Sequence, residues 1–119
     1  MSDTNQQEVY PLTIEIITKW LLSKEQETAK LGVTLADLRE SQLHVPTVAA
    51  DFDSQEAMGR VSVWASGEFD FLVLRIADGT DAFFRHETVE KLSTPALEGA
   101  FQAFLRSMVN PGKANQKSD

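Results

Sequence analysis

Between Gly59 and His86 the chain reads GRVSVWASGEFDFLVLRIADGTDAFFRH, three apolar runs separated by Ser66-Gly67 and Asp78-Gly79. Glycine-containing breaks flanked by β-branched and aromatic residues are the pattern of successive tight hairpins, so this segment predicts a three-stranded antiparallel meander. His44 to Phe52 reads as a further strand. Pro46 lacks a backbone donor, which places that strand at a sheet edge or makes it begin after the proline. With Asp53 to Glu56 as a short connection, the expected sheet has four antiparallel strands.

Helical spacing brackets this sheet. From Pro11 to Gly32, Thr13, Ile16, Ile17, Trp20, Leu21, Thr28 and Leu31 fall on one stripe, with proline at the start and glycine at the end as punctuation. Val33 to Ser41 reads as a short helix or turn, because Thr34 with Asp37 three positions on resembles a capping pair. In the C-terminal part, Leu97, Ala100, Phe101, Phe104, Leu105 and Met108 form a second stripe. Thr94 is placed to cap it, Pro95 to begin it, and Asn110-Pro111-Gly112 to end it. The fold class is therefore α+β: a four-stranded antiparallel meander packed with an N-terminal and a C-terminal amphipathic helix. It forms one domain over residues 9–110, with a disordered N-terminus (1–8) and tail (111–119) expected.

Hairpin loops of two or four residues would set Trp64 opposite Phe69, Val73 opposite Phe84 and Phe71 opposite His86. One face would then carry Arg60, Ser62, Trp64, Phe69, Phe71, Val73, Arg75, Ala82, Phe84 and His86, and the other Val61, Val63, Ala65, Glu68, Asp70, Leu72, Leu74, Ile76, Asp81, Phe83 and Arg85. A three-residue loop at either turn shifts that register. The aliphatic face suits helix packing. The aromatic and charged face is either a partly wet binding surface or core beneath one of the helices.

Charge sharpens this picture. The 119 residues carry a net charge of −7, and the segment from Asp51 to Glu90, with nine acids against three arginines, supplies −6 of it. Clustered Lys and Arg, which phosphate contacts require, are absent, so direct nucleic-acid binding is disfavoured and a basic protein is the better electrostatic complement. With no cysteine, disulfides and thiolate chemistry are excluded. The N-terminus lacks a basic segment followed by an apolar core, and no apolar run approaches the ~18 residues of a membrane span. The expected setting is cytoplasmic, away from membranes.

No catalytic, cofactor or metal site is expected. His44 and His86 lie outside any ligand spacing such as HExxH, and His86, between Arg85 and Glu87, reads as structural. Asp51 and Asp53 flank Phe52 as a divalent-metal pair might, but a solvated strand end explains them as well. Neither a GxSxG turn nor a glycine-rich phosphate loop occurs.

The sequence from about residue 45 to 108 resembles the TriTu-type immunity proteins of bacterial polymorphic toxin systems. The likeness rests on Asp51-Phe52-Asp53-Ser54, on Gly59-Arg60-Val61-Ser62-Val63-Trp64, on Ser66-Gly67-Glu68-Phe69-Asp70, and on Phe84-Arg85-His86-Glu87 before the final helix. That resemblance implies a cytosolic protein that binds and neutralises a cognate toxin C-terminal domain. A basic toxin cleft acting on nucleic acid or nucleotides would suit an acidic inhibitor. On this reading Trp64, Phe69 and Phe71 are the candidate anchors, with Glu68, Asp70, Asp78, Asp81 and His86 around them. An effector-binding chaperone is the alternative. A small-molecule pocket over the sheet, formed by Arg60, Arg75 and His86, ranks below it.

Overall fold

A computed structural model describes residues 9–42 and 44–112. Two short helices, α1 (Ile14–Ser23) and α2 (Glu25–Lys30), precede five strands: β1 (Thr34–Ser41), β2 (Thr47–Asp53), β3 (Ala57–Trp64), β4 (Glu68–Arg75) and β5 (Asp81–Thr88). Helix α3 (Pro95–Val109) follows. All neighbouring strands are antiparallel and the sheet order is the chain order, a complete meander. The α+β class is as expected, but the sheet has five strands rather than four. The additional one is Thr34 to Ser41, expected as a short helix or turn. Pairing with β2 gives this edge strand its backbone partners, and its irregularity at Ala36, between Leu35 and Asp37, blurs the alternation that would have marked it.

Local chemistry sets the helix boundaries. The Thr13 hydroxyl accepts from the Ile16 amide to start α1, and the Thr94 hydroxyl accepts from the Leu97 amide to start α3, with Pro95 in the first turn. The N-terminal stripe is not one helix, for the chain turns at Lys24, whose N–H bonds back to the Leu21 carbonyl. Of that stripe Ile17, Leu21 and Thr28 are buried, whereas Ile16 and Leu31 are exposed. Strand β2 begins after Pro46, and the Pro46 carbonyl accepts from the Ala65 amide. At the far end the Arg75 guanidinium donates to the Pro111 carbonyl at 3.2 Å, and Pro111 is buried. The remaining expected tails, 1–8 and 113–119, lie outside the described residues.

All three helices lie on one side of the sheet: α2 against β1, α1 against β2, and α3 across β3, β4 and β5. Beneath them Val48, Ala50, Phe52, Val61, Val63, Phe69, Phe71 and Val73 are fully buried. Aromatic rings link the layers, with Trp20 edge-on to both Phe69 and Phe101 at 5.6 Å, Phe71 against Phe104 at 5.9 Å, and Phe52 edge-on to Phe104 at 5.6 Å. Such pairs add about 0.5–1.5 kcal/mol each beyond the area they bury. Lys24 closes the top of this stack: its ammonium sits 5.1 Å from the Trp20 ring centre and 2.8 Å from a Glu98 carboxylate oxygen, tying the α1–α2 junction to α3.

The register differs from the expected one by a residue at both central hairpins. The β3–β4 loop contains three residues, Ala65-Ser66-Gly67, with Gly67 at φ +99° and its amide bonded to the Trp64 carbonyl. This is the form of a type I turn followed by glycine in the left-handed region. It sets Val63 opposite Phe69 and Val61 opposite Phe71. At β4–β5 a bulge between Val73 and Leu74 sets Val73 opposite Phe83 and Phe71 opposite Arg85. The combined effect is that β4 alone turns over. Phe69, Phe71 and Val73 join Val61 and Val63 under the helices, and Asp70, Leu72 and Leu74 take the expected places of the aromatic residues.

Candidate partner-binding face

Among the described residues no helix lies on the opposite face of the sheet. Its residues alternate with the core residues along each strand, in cross-strand rows set by the register. One row runs Asp37, Asp51, Arg60, Leu72, Phe84, and the next Arg39, Ala49, Ser62, Asp70, His86. Asp53, Met58 and Leu74 form a third, and Thr47 and Trp64 pair at the end nearest the β3–β4 turn. Phe84 is 60% exposed and Met58 49%, while Leu72, Leu74 and Trp64 are half-buried. An apolar strip therefore crosses β3, β4 and β5 in contact with water.

Charged networks flank the strip. Toward β1, Arg39 Nη1 reaches Asp37 Oδ2 at 2.7 Å and Asp51 Oδ2 at 2.8 Å, and Arg60 Nε reaches Asp51 Oδ1 at 2.7 Å. The Arg60 guanidinium, seconded by Arg39, holds the Asp51 carboxyl below its ordinary range. Both Asp51 oxygens are thus engaged by guanidinium groups. Toward β5, His86 Nδ1 lies 2.6 Å from Asp70 Oδ1, and this bond, reinforced by the charges of Glu68 and Glu87, raises the histidine pKa.

The candidate residues separate into three groups. Trp64, Asp70 and His86 lie on the open face, and Glu68 is exposed across the turn from Trp64. Phe69 and Phe71 do not belong with them: both are fully buried beneath α1 and α3, a correction that follows from the inverted β4. Asp78 and Asp81 sit at the opposite end of the meander, about seven residues or ~23 Å along β4 from Glu68. There Asp78 accepts from the amide and hydroxyl of Thr80, which hold its carboxyl below the ordinary range and shape the turn. Arg75 packs on the helix side, donating to the Pro111 carbonyl, so Arg60, Arg75 and His86 do not converge on a pocket. Sequence reasoning missed Leu72, Leu74 and Met58 as surface residues. An apolar residue at every second position signals burial unless the register is known.

The chain matches the family described as Immunity protein TriTu over residues 15–107. It belongs to the TriTu family of immunity proteins. The TriTu match takes in all five strands and nearly all of α1 and α3, extending the resemblance read from residue 45 onward back to the first helix. Thus β1 and the Trp20 helix, unspecific as sequence, lie within the span of the TriTu family. Membership in an immunity family implies a toxin as partner and toxin neutralisation as the role. No curated protein matches the chain. No described helix is long and apolar enough to cross a membrane.

Proposed function

We propose that this protein binds the C-terminal domain of a secreted polymorphic toxin in the cytoplasm and neutralises it through the sheet face opposite the described helices. The observation that supports this reading most is the apolar strip of the exposed Met58 and Phe84 and the half-buried Leu72 and Leu74, beside Trp64, while every described helix packs on the other side. Large apolar side chains grouped in a polar frame are the makings of an interface core. The partner surface is basic: Asp37, Asp51, Asp53, Glu68 and Asp70 outnumber Arg39, Arg60 and His86 on and around this face. Acting by binding, the protein requires no cofactor, metal or catalytic residue. An acidic face of this kind speeds encounter with a positively charged cleft.

The gene immediately upstream is expected to encode the toxin, and the test uses its C-terminal domain. The purified pair is expected to form a one-to-one complex in which the toxin is inactive. Leu72→Lys combined with Phe84→Lys should abolish the complex while the circular dichroism spectrum stays that of the parent. Undiminished binding by a folded double variant would remove the sheet face from the interface, and a fully active toxin in the complex would make the protein an escorting chaperone.

A further inference from the structure

Within the open face lies a dimple of about 280 Å3 bordered by Asp51, Asp53, Met58, Arg60, Leu72 and Leu74. Its floor is the backbone of β2 and β3 at Phe52 and Gly59, whose side-chain directions both point to the helices. The Phe52 ring packs on Phe104, and a Cβ on Gly59 would meet Met108. The volume is below the ~300–1,000 Å3 of sites that enclose whole small ligands, so it fits one side chain of a partner.

The lining defines which side chain. One wall is aliphatic, from Leu72, Leu74 and Met58. The other is ionic but unequally satisfied. Asp51 is saturated by Arg60 and Arg39, whereas among the described residues no cation lies within ion-pair distance of the exposed Asp53. Asp37, Asp51 and Asp53 stand against Arg39 and Arg60 here, leaving one carboxylate in excess. An aliphatic wall ending in a carboxylate that no described cation pairs complements a long side chain with an apolar stem and a cationic head. Arginine fits better than lysine, since its guanidinium is more weakly hydrated and engages a carboxylate through two parallel bonds.

We infer that this dimple receives a single arginine of the toxin, with its stem on Leu72 and Leu74 and its guanidinium on Asp53. This rests on the open face being the docking surface, and it assigns that surface an anchor. Arg60 stays clear of the incoming cation, because Asp51 holds it at 2.7 Å.

The inference is tested first on the free protein. Isotope-labelled protein is titrated by NMR with N-acetyl-arginine methylamide and, as the uncharged counterpart, N-acetyl-norleucine methylamide. The arginine compound is expected to shift the amides of Asp53, Met58, Leu72 and Leu74 saturably at millimolar concentration. Asp53→Asn should weaken this at least about fivefold without altering the rest of the spectrum. Equal shifts from the norleucine compound, or an unchanged response in Asp53→Asn, would overturn it. In the toxin complex Asp53→Asn should lose about tenfold in affinity, and Asp78→Asn, at the far turn, should lose none. If Asp53→Asn binds like the parent while the Leu72 and Phe84 double variant does not bind, the anchor fails and the docking face stands. If the double variant binds normally, the docking face itself fails.

Discussion

On the covered face of the sheet Val61, Val63, Phe69, Phe71 and Val73 are out of water, while on the open face their sequence neighbours Ser62, Trp64, Asp70, Leu72 and Leu74 remain within its reach. Both sets come from the same two strands, and both contain large apolar groups. What separates them is whether a helix lies above, so similar side chains stabilise the molecule on one face and are available to another molecule on the other. The composition of a face does not decide its role. Its covering does.

Truncating one aromatic residue on each face should have very unequal effects. Phe71→Ala empties space against Phe69 and Phe104 and should cost about 3–5 kcal/mol in urea unfolding. Phe84→Ala, already 60% exposed, should cost about 0.5 kcal/mol or less. Comparable losses would mean that the two faces are not distinct. Next in size, Gly59→Ala would push a methyl to within 2.6 Å of Met108 Sδ and 2.8 Å of the Phe104 ring, for an expected ~1–3 kcal/mol by the same measurement. Met58→Ala, one residue away and facing outward, should leave the midpoint within the range of ordinary surface substitutions, about 0.5 kcal/mol.

Charge gives smaller effects, confined to the open face. Glu68→Lys should slow association with the toxin several-fold at low salt, with the difference vanishing at high salt and the unfolding midpoint unchanged, as stopped-flow mixing and urea titration would show. The smallest effect belongs to the Asp70–His86 pair. Its folded-state pKa is raised above the ordinary 6.5, so the pair's contribution to stability is complete below that value and lost as pH rises through the folded-state value. Asp70→Asn should return the His86 titration followed by NMR toward 6.5, and its stability should differ from the parent at about pH 6 but converge with it in alkaline solution. A gap that widens with pH would reverse the assigned sign.

Much of the architecture was legible because the signals were local. Thr94-Pro95 marked the start of α3, Pro46 placed the onset of β2, and the two glycine breaks located both central hairpins. The first strand was hidden because TLADLRES is rich in helix-forming residues and is held extended by its pairing with β2, a contact between distant positions. The inversion of β4 was hidden for another reason. In FDFLVLR both alternating sets, Phe69-Phe71-Val73 and Leu72-Leu74, are apolar enough to be buried, so the pattern left the choice to one extra residue in a loop and one bulge. That single ambiguity is why the pattern alone groups Phe69 and Phe71 with Trp64 and His86, and Asp70 with the aliphatic side, whereas the register puts Phe69 and Phe71 in the core and Asp70 beside His86.

The three-residue loop Ala65-Ser66-Gly67 also constrains how such a protein can change over generations. Removing or adding one residue there would exchange inside for outside along all of β4, placing Asp70 beneath α3 and exposing Phe71. Point substitutions on the open face leave the core untouched. Loop length in that hairpin is therefore tied to the core, whereas side chains on the bare face can be exchanged one at a time without refolding the molecule.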